Sequence, residues 1–130
     1  MLPGTNRAAD RFARASFYIN AIPKKADGKH ALASVFSVIR NASVPFGLNT
    51  AEEPNISSTR WRTVVDHKRS LYFFESAVSP NVFWVDLKEI NFNDGQSKKL
   101  SLGPDQSTTY SGKANANFQV TQPFQFLAAN

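Results

Sequence analysis

The chain has 130 residues, which is enough for one compact domain but short for two. Hydrophobic residues make up 42% of it, close to the globular average, so a fully disordered chain is not expected. No apolar run approaches the ~20 residues that a membrane-spanning helix needs, so no membrane span is predicted. Cysteine is absent, which excludes disulfides, thiolate metal sites and a cysteine nucleophile within these residues.

The formal net charge is +5, from 15 Lys and Arg against 10 Asp and Glu. A basic balance of this size suits an anionic partner such as a nucleic acid. However, the cations are spread from Arg7 to Lys113 with acidic residues between them. Nucleic-acid binding requires cations clustered on one face, so we interpret the charge as mixed, solvated surface.

Two helices are predicted in the first third of the chain. The first covers about residues 6–20, with Thr5 or Asn6 as its N-cap, and the second covers about residues 29–40. In each, apolar residues recur at spacings of three and four, which predicts one buried face per helix. These faces comprise Phe12, Ala15 and Ile19 in the first helix and Leu32, Val35, Phe36 and Ile39 in the second.

Three strands are predicted next, over about residues 58–66, 71–76 and 82–87, and short polar turns join them. In the first strand, Trp61 and Arg60 point to opposite faces of the sheet because side chains alternate along a strand. We therefore expect the aromatic side chains to form the core rather than a surface for stacking nucleic-acid bases.

Two helices followed by an antiparallel meander indicate an α+β fold in which the helices cover one face of the sheet. Residues 91–130 are predicted to form an irregular tail, with a short strand around residues 100–102. No linker divides the chain, so we treat residues 1–130 as a single domain or part of one.

Few residues indicate chemistry of their own. His30 and His67 lie at a helix start and in a turn, without partners at metal-binding spacing, so both are predicted to be surface residues. The sequence has no Gly-x-Ser-x-Gly elbow, no Ser-x-x-Lys motif and no phosphate-binding glycine loop. From the residues alone we expect no complete catalytic constellation, no metal and no cofactor.

A resemblance to a known family changes this interpretation. Residues 2–4, Leu-Pro-Gly, and residues 10–17, Asp-Arg-Phe-Ala-Arg-Ala-Ser-Phe, resemble the corresponding motifs of the choloylglycine hydrolase family. That family contains bile salt hydrolases and penicillin V acylases, and the likeness is greater to the Gram-negative penicillin acylase-like branch. Further segments resemble the family's C-terminal strands, namely residues 57–61, 63–68, 71–74 and 85–87.

The resemblance implies an N-terminal-nucleophile hydrolase with an αββα sandwich. Such enzymes cleave a linear amide with an N-terminal cysteine whose own α-amine acts as the base. One of the family's catalytic positions falls on Arg11, where a positive charge beside the nucleophile would favour the thiolate and keep the α-amine unprotonated. Arg14, one turn further along, better suits a structural or ion-pairing role.

The resemblance also implies what this chain lacks. Family members are longer and carry the nucleophilic cysteine at their N-terminus, so we expect these residues to be the C-terminal half of the fold, inactive alone. The expected partner is the missing N-terminal half, or a second copy, since family members are commonly homo-oligomeric. A non-catalytic interaction module and a basic nucleic-acid-binding domain remain as alternatives. Periplasmic or secreted localisation is plausible from the family, while a cytoplasmic one and the identity of the amide substrate stay open.

Overall fold

The computed structural model describes residues 1–24, 27–102 and 109–128. Within these ranges, two helices precede six short strands, and single turns of 3₁₀ helix follow the third and fifth strands. The helices are α1 (Ala8–Ala21) and α2 (Gly28–Asn41); the strands are β1 (Trp61–Asp66), β2 (Leu71–Ser76), β3 (Val82–Asp86), β4 (Ser97–Lys99), β5 (Gly112–Lys113) and β6 (Gln119–Thr121). Among the described residues, no helix combines the length and the apolar composition needed to cross a bilayer.

The main sheet has the order β1-β2-β3-β5. Strands β1, β2 and β3 form the predicted antiparallel meander, in which Phe73 lies opposite Val64 on one side and Trp84 on the other. Strand β5 adds to β3 in parallel, and β4 pairs with β6 in a separate two-stranded ribbon. The predicted α+β fold, with two helices and a mainly antiparallel sheet, is confirmed.

The core has two parts, one on each face of the sheet, and the first lies between α2 and the sheet. Phe36 of α2 meets Phe73 of β2 edge to face, with ring centroids 6.2 Å apart, and Phe73 also contacts Trp84 at 5.7 Å. Phe83 and Val85 alternate with Trp84 along β3 and lie on the opposite face of the sheet, where Phe83 meets Tyr110 with ring centroids 5.4 Å apart. The buried apolar residues of the described chain are Phe36, Val38, Val44, Phe73, Phe83, Val85 and Ala114. Helix α2 therefore covers one face of the sheet. Helix α1 packs on α2, and none of its residues is buried.

Two predictions about buried surfaces are wrong. Trp61 was expected in the core, but it is 61% exposed because α2 covers the opposite face of β1, where Arg62 and Val64 point. On α1, the predicted apolar face is also largely open, since Phe12 is 73% exposed. Alternation and helical periodicity identify two faces, but they do not say which of them the rest of the chain covers.

The start of α1 also differs from the prediction. The N-cap is Arg7, and no side chain caps the helix, so the expectation of Thr5 or Asn6 is wrong. The Thr5 hydroxyl is used elsewhere, since it donates to the Asp10 carboxylate. Arg14 donates to the carbonyl oxygens of Pro3 and Thr5, both at 2.9 Å, and so holds the segment before the helix against it.

The tail is more regular than predicted. The short strand expected around residues 100–102 lies earlier, at Ser97–Lys99, while residues 103–108 fall outside the described chain. Further on, the Asn115 side chain accepts from the Asp86 amide and donates to the Asp86 carbonyl, each at 2.8 Å. This pair fastens the segment around β5 to the end of β3. Such a non-local contact leaves no periodic signal in the sequence.

Candidate functional site

Arg11 lies near the start of α1, where its half-buried side chain reaches the end of α2. Its Nε donates a hydrogen bond of 2.6 Å to the carbonyl oxygen of Ala42, the residue that caps the C-terminus of α2. The carbonyl end of a helix carries partial negative charge, so the guanidinium is favourably placed there. Among the described residues this is the one hydrogen bond of the Arg11 side chain, and its Nη groups have no hydrogen-bond partner there.

Beside Arg11 is a recess of about 350 Å³ between the two ends of the loop that joins α2 to β1. Two hydrogen bonds join its lining residues Val44 and Thr59: the Val44 amide donates to the Thr59 hydroxyl at 2.9 Å, and the Thr59 amide donates to the Val44 carbonyl at 3.1 Å. The residues that line the recess are Arg11, Val44, Ser57, Ser58, Thr59, Arg60 and Trp61. It opens beside the exposed Trp61, on the edge strand of the sheet.

The chemistry available in this recess is limited. It holds two arginines and three hydroxyl groups, and no histidine or carboxylate is among its described lining residues. The Ser58 hydroxyl already accepts from the Gly47 amide at 3.0 Å, and the Arg60 guanidinium stacks over the Phe46 ring at 5.0 Å. The recess can therefore stabilise negative charge, but its described residues supply no base that would activate a hydroxyl.

An ion-pair network around the buried Glu75 joins α2 to β1 and β2. Glu75 is 9% exposed, and its Oε1 accepts from Arg40 Nη2 at 2.6 Å and from Arg40 Nε at 3.0 Å, while Nε also donates to Oε2 at 3.3 Å. Arg62 approaches the same carboxylate at 3.4 Å through Nη1, while its Nε donates to the Ser43 hydroxyl at 2.7 Å. A buried carboxylate needs such partners to offset its lost hydration.

The sequence analysis missed this network, although a signal was present. Glu75 lies two residues after Phe73 on β2, so both side chains point to the same face of the sheet, and Phe73 is a core residue. The strand register places Arg62 directly opposite Glu75, a cross-strand pair of opposite charge. A charged residue at an inward strand position, with an arginine facing it, indicates a buried ion pair once the register is known.

The histidines take no part in a metal site among the described residues. His30 is exposed and its Nδ1 lies 2.7 Å from Asp27, a nearby carboxylate that the sequence analysis did not pair with it. Asp27 caps α2 by accepting from the amides of Lys29 and His30, and the hydrogen bond from the His30 amide is the main cause of the lowered pKa of Asp27. His67 is also exposed, in the turn between β1 and β2.

The turn between β1 and β2 has an equivalent structural carboxylate. Asp66 accepts from the backbone amide of Arg69 at 2.9 Å and from its Nε at 2.7 Å. The amide hydrogen bond, followed by that from the guanidinium, lowers the pKa of Asp66. At the end of the same turn, Ser70 has a φ of 60°. Both histidines and both aspartates therefore belong to caps and turns, away from the Arg11 recess.

Comparison with known proteins decides the family. Residues 1–101 match the model of the linear amide C–N hydrolases, choloylglycine hydrolase family. This chain belongs to that family. The resemblance found in the sequence is thereby confirmed, while the catalytic role of Arg11 stays a prediction.

Two relatives of this choloylglycine hydrolase family member are penicillin V acylases. The chain is 60% identical, over 140 aligned positions, to a penicillin V acylase of Pectobacterium atrosepticum, covering 97% of this chain and 37% of that protein. The structure of penicillin V acylase from Agrobacterium tumefaciens matches with a TM-score of 0.90 and 62% identity, covering 99% of this chain and 41% of that one. The chain thus spans about two fifths of the length of these relatives.

Proposed function

We propose that this chain contributes the C-terminal part of a linear amide hydrolase that acts on penicillin V or a related acyl amide. The observation that carries this proposal is the 60% identity to a penicillin V acylase over 97% of the chain. The resemblance implies a cysteine nucleophile, and these 130 residues contain no cysteine. We therefore propose that the nucleophile comes from residues outside this sequence and that the chain alone does not hydrolyse amides.

Within this proposal, Arg11 supplies the positive charge beside the nucleophile. Its support is geometric: the Nε donates to the Ala42 carbonyl, and Arg11 lines an open recess. A cation within ~4–6 Å favours the thiolate over the thiol and disfavours the charged ammonium, so it lowers the pKa of both groups. The thiolate and the neutral amine are the forms that attack the amide and accept a proton, so the charge would favour both.

A chimera tests this function. In it, the present chain replaces the matching residues of the Pectobacterium acylase, and hydrolysis of penicillin V is followed by release of the free side-chain acid. We expect the chimera to be active and the isolated chain to be inactive at the same concentration. Turnover by the isolated chain would refute its proposed incapacity. A folded chimera without activity would refute the assignment of this chain to a penicillin V acylase.

A second candidate function is association through the exposed part that β1 and β2 form on the sheet face opposite α2. We call this surface the open face and define it by Trp61, Thr63, Val65 and Tyr72 of β1 and β2. Trp61 is 61% exposed, Val65 41% and Tyr72 37%. Neighbouring exposed apolar side chains favour binding to another surface, here the remaining part of the hydrolase or a second copy of the chain. Sedimentation equilibrium with each of these partners tests the proposal.

A further inference from the structure

A continuous series of contacts joins Arg11 to the buried ion-pair network. Ala42, whose carbonyl accepts from Arg11, is followed directly by Ser43. The Ser43 hydroxyl donates to the Ile39 carbonyl and accepts from Arg62 Nε, both at 2.7 Å. The last turn of α2 is therefore held from the sheet side through Ser43, while the same turn presents the Ala42 carbonyl to Arg11.

Arg62 is itself fixed from its other end. Its side chain is 19% exposed, and it shares the Glu75 carboxylate with Arg40. Two guanidinium groups and one carboxylate leave this cluster with a net charge of about +1. If Glu75 were neutral, the two arginines would repel each other in a partly dry environment, and Arg62 would lose the partner that aims it at Ser43.

We infer that Glu75 and Arg62 are positioning residues for Arg11, acting through Ser43 and the C-terminal turn of α2. Neither side chain contacts Arg11. They hold the C-terminal turn of α2 in place, and with it the Ala42 carbonyl that accepts from the Arg11 Nε. This contact sets the position of the Arg11 guanidinium at the recess. The catalytic consequence rests on the proposed function, but the positional claim concerns the chain by itself.

The side-chain Nε–H signals of arginines in a ¹⁵N NMR spectrum of the intact chain test the claim directly. A hydrogen-bonded Nε–H exchanges with water more slowly than a free one, and an Arg11→Lys spectrum assigns the signal. In Glu75→Gln we expect exchange of the Arg11 Nε–H to accelerate roughly fivefold, as for the loss of one hydrogen bond of ordinary net strength. The internal control is Arg69, whose Nε bonds to Asp66 at 2.7 Å at the far end of β1.

The outcomes separate a positional from a general effect. Selective acceleration at Arg11, with Arg69 unchanged, supports the inference. An unchanged Arg11 signal overturns it, and so does equal acceleration at both arginines, which would show general loosening of the fold. If Glu75→Gln does not fold, Ser43→Ala replaces it, because this change breaks the relay without leaving a buried charge unpaired. The same selective acceleration is then expected, and its absence overturns the inference.

A second readout distinguishes this inference from the proposed function. In the chimera, we expect Glu75→Gln to lower kcat when Arg11 is present and to have little further effect in an Arg11→Ala background, since the two changes act on one element. If Arg11 has no catalytic role, kcat will not respond to either change, yet the NMR result will stand. If the NMR result fails while Arg11→Ala still abolishes activity, only the positioning claim is refuted.

Discussion

Replacing Trp61 by serine should weaken association through the open face. An aromatic side chain buries up to ~250 Å² when fully covered, so a Trp61 that is 61% exposed has about 150 Å² left to bury. At ~25 cal/mol per Å² this corresponds to at most about 4 kcal/mol. A partner rarely covers all of it, so we expect a loss of about 2 kcal/mol, or roughly a thirtyfold weaker association constant.

Sedimentation equilibrium measures this constant for the chain alone and for its mixture with the remaining residues of the Pectobacterium acylase. The matched control is Phe92→Ser, because Phe92 is 73% exposed but lies outside the main sheet. The reasoning is refuted if Trp61→Ser leaves both associations unchanged. It is refuted equally if Phe92→Ser weakens them as much, because a loss of exposed apolar area anywhere would then explain the result.

Three further changes test the site and the fold. In the chimera, Arg11→Ala should lower kcat for penicillin V at least about a hundredfold, the size of effect seen when a preorganised electrostatic group is removed. The control is Arg7→Ala, which removes an exposed arginine of the same segment and should retain activity. Phe73→Ala should destabilise the chain by about 3–5 kcal/mol in urea unfolding, since Phe73 is 5% exposed between two aromatic rings; a midpoint close to that of the unchanged chain would contradict the core as described. The lowered pKa of Asp27 adds stability that is present above the ordinary pKa near 4 and is lost as the pH falls through the pKa of the folded state. The thermal midpoint of Asp27→Asn should therefore approach that of the unchanged chain below about pH 4. A constant difference between the two midpoints from pH 7 to pH 3 would show that the carboxylate charge is not responsible.

Local patterns were sufficient to predict the elements but not their surroundings. The helical period of α2 and the alternation in β1, β2 and β3 depend on neighbours along the chain, and they led to the correct α+β class. The exposure of Trp61 depends instead on which face of the sheet meets α2, and that is decided by packing between distant residues. The parallel pairing of β5 with β3 is also non-local, and its two residues are too few to show any periodicity.

The candidate site shows the same division. The Arg-Phe-x-Arg motif identified Arg11 through its resemblance to a family, and membership of that family is now established. Its hydrogen bond to Ala42 joins residues 31 positions apart, so no local pattern predicts it. The network around Glu75 is similar, because Arg40 is 35 positions away and its approach depends on how α2 crosses the sheet.

The recess and the open face share Trp61, so activity and association are linked at this residue. Trp61 lines the recess beside Arg11 and also begins the exposed side of β1. A loss of activity in Trp61→Ser would therefore have two explanations. Val65 separates them, because it lies on the same face four residues further along, about 13 Å from Trp61, and does not line the recess.

Val65→Ser should therefore weaken association of the separate chain without lowering the turnover of the chimera, in which the two parts are covalently joined. Val65 is 41% exposed, and its side chain is smaller than that of Trp61, so the expected effect on the association constant is smaller, of about 1 kcal/mol or roughly fivefold. The measurement compares kcat of the chimera at saturating penicillin V with the association constant that sedimentation equilibrium gives for the separate chain. If Val65→Ser lowers kcat as strongly as Trp61→Ser does, the open face itself supports catalysis, and the separation of the two functions along β1 is wrong.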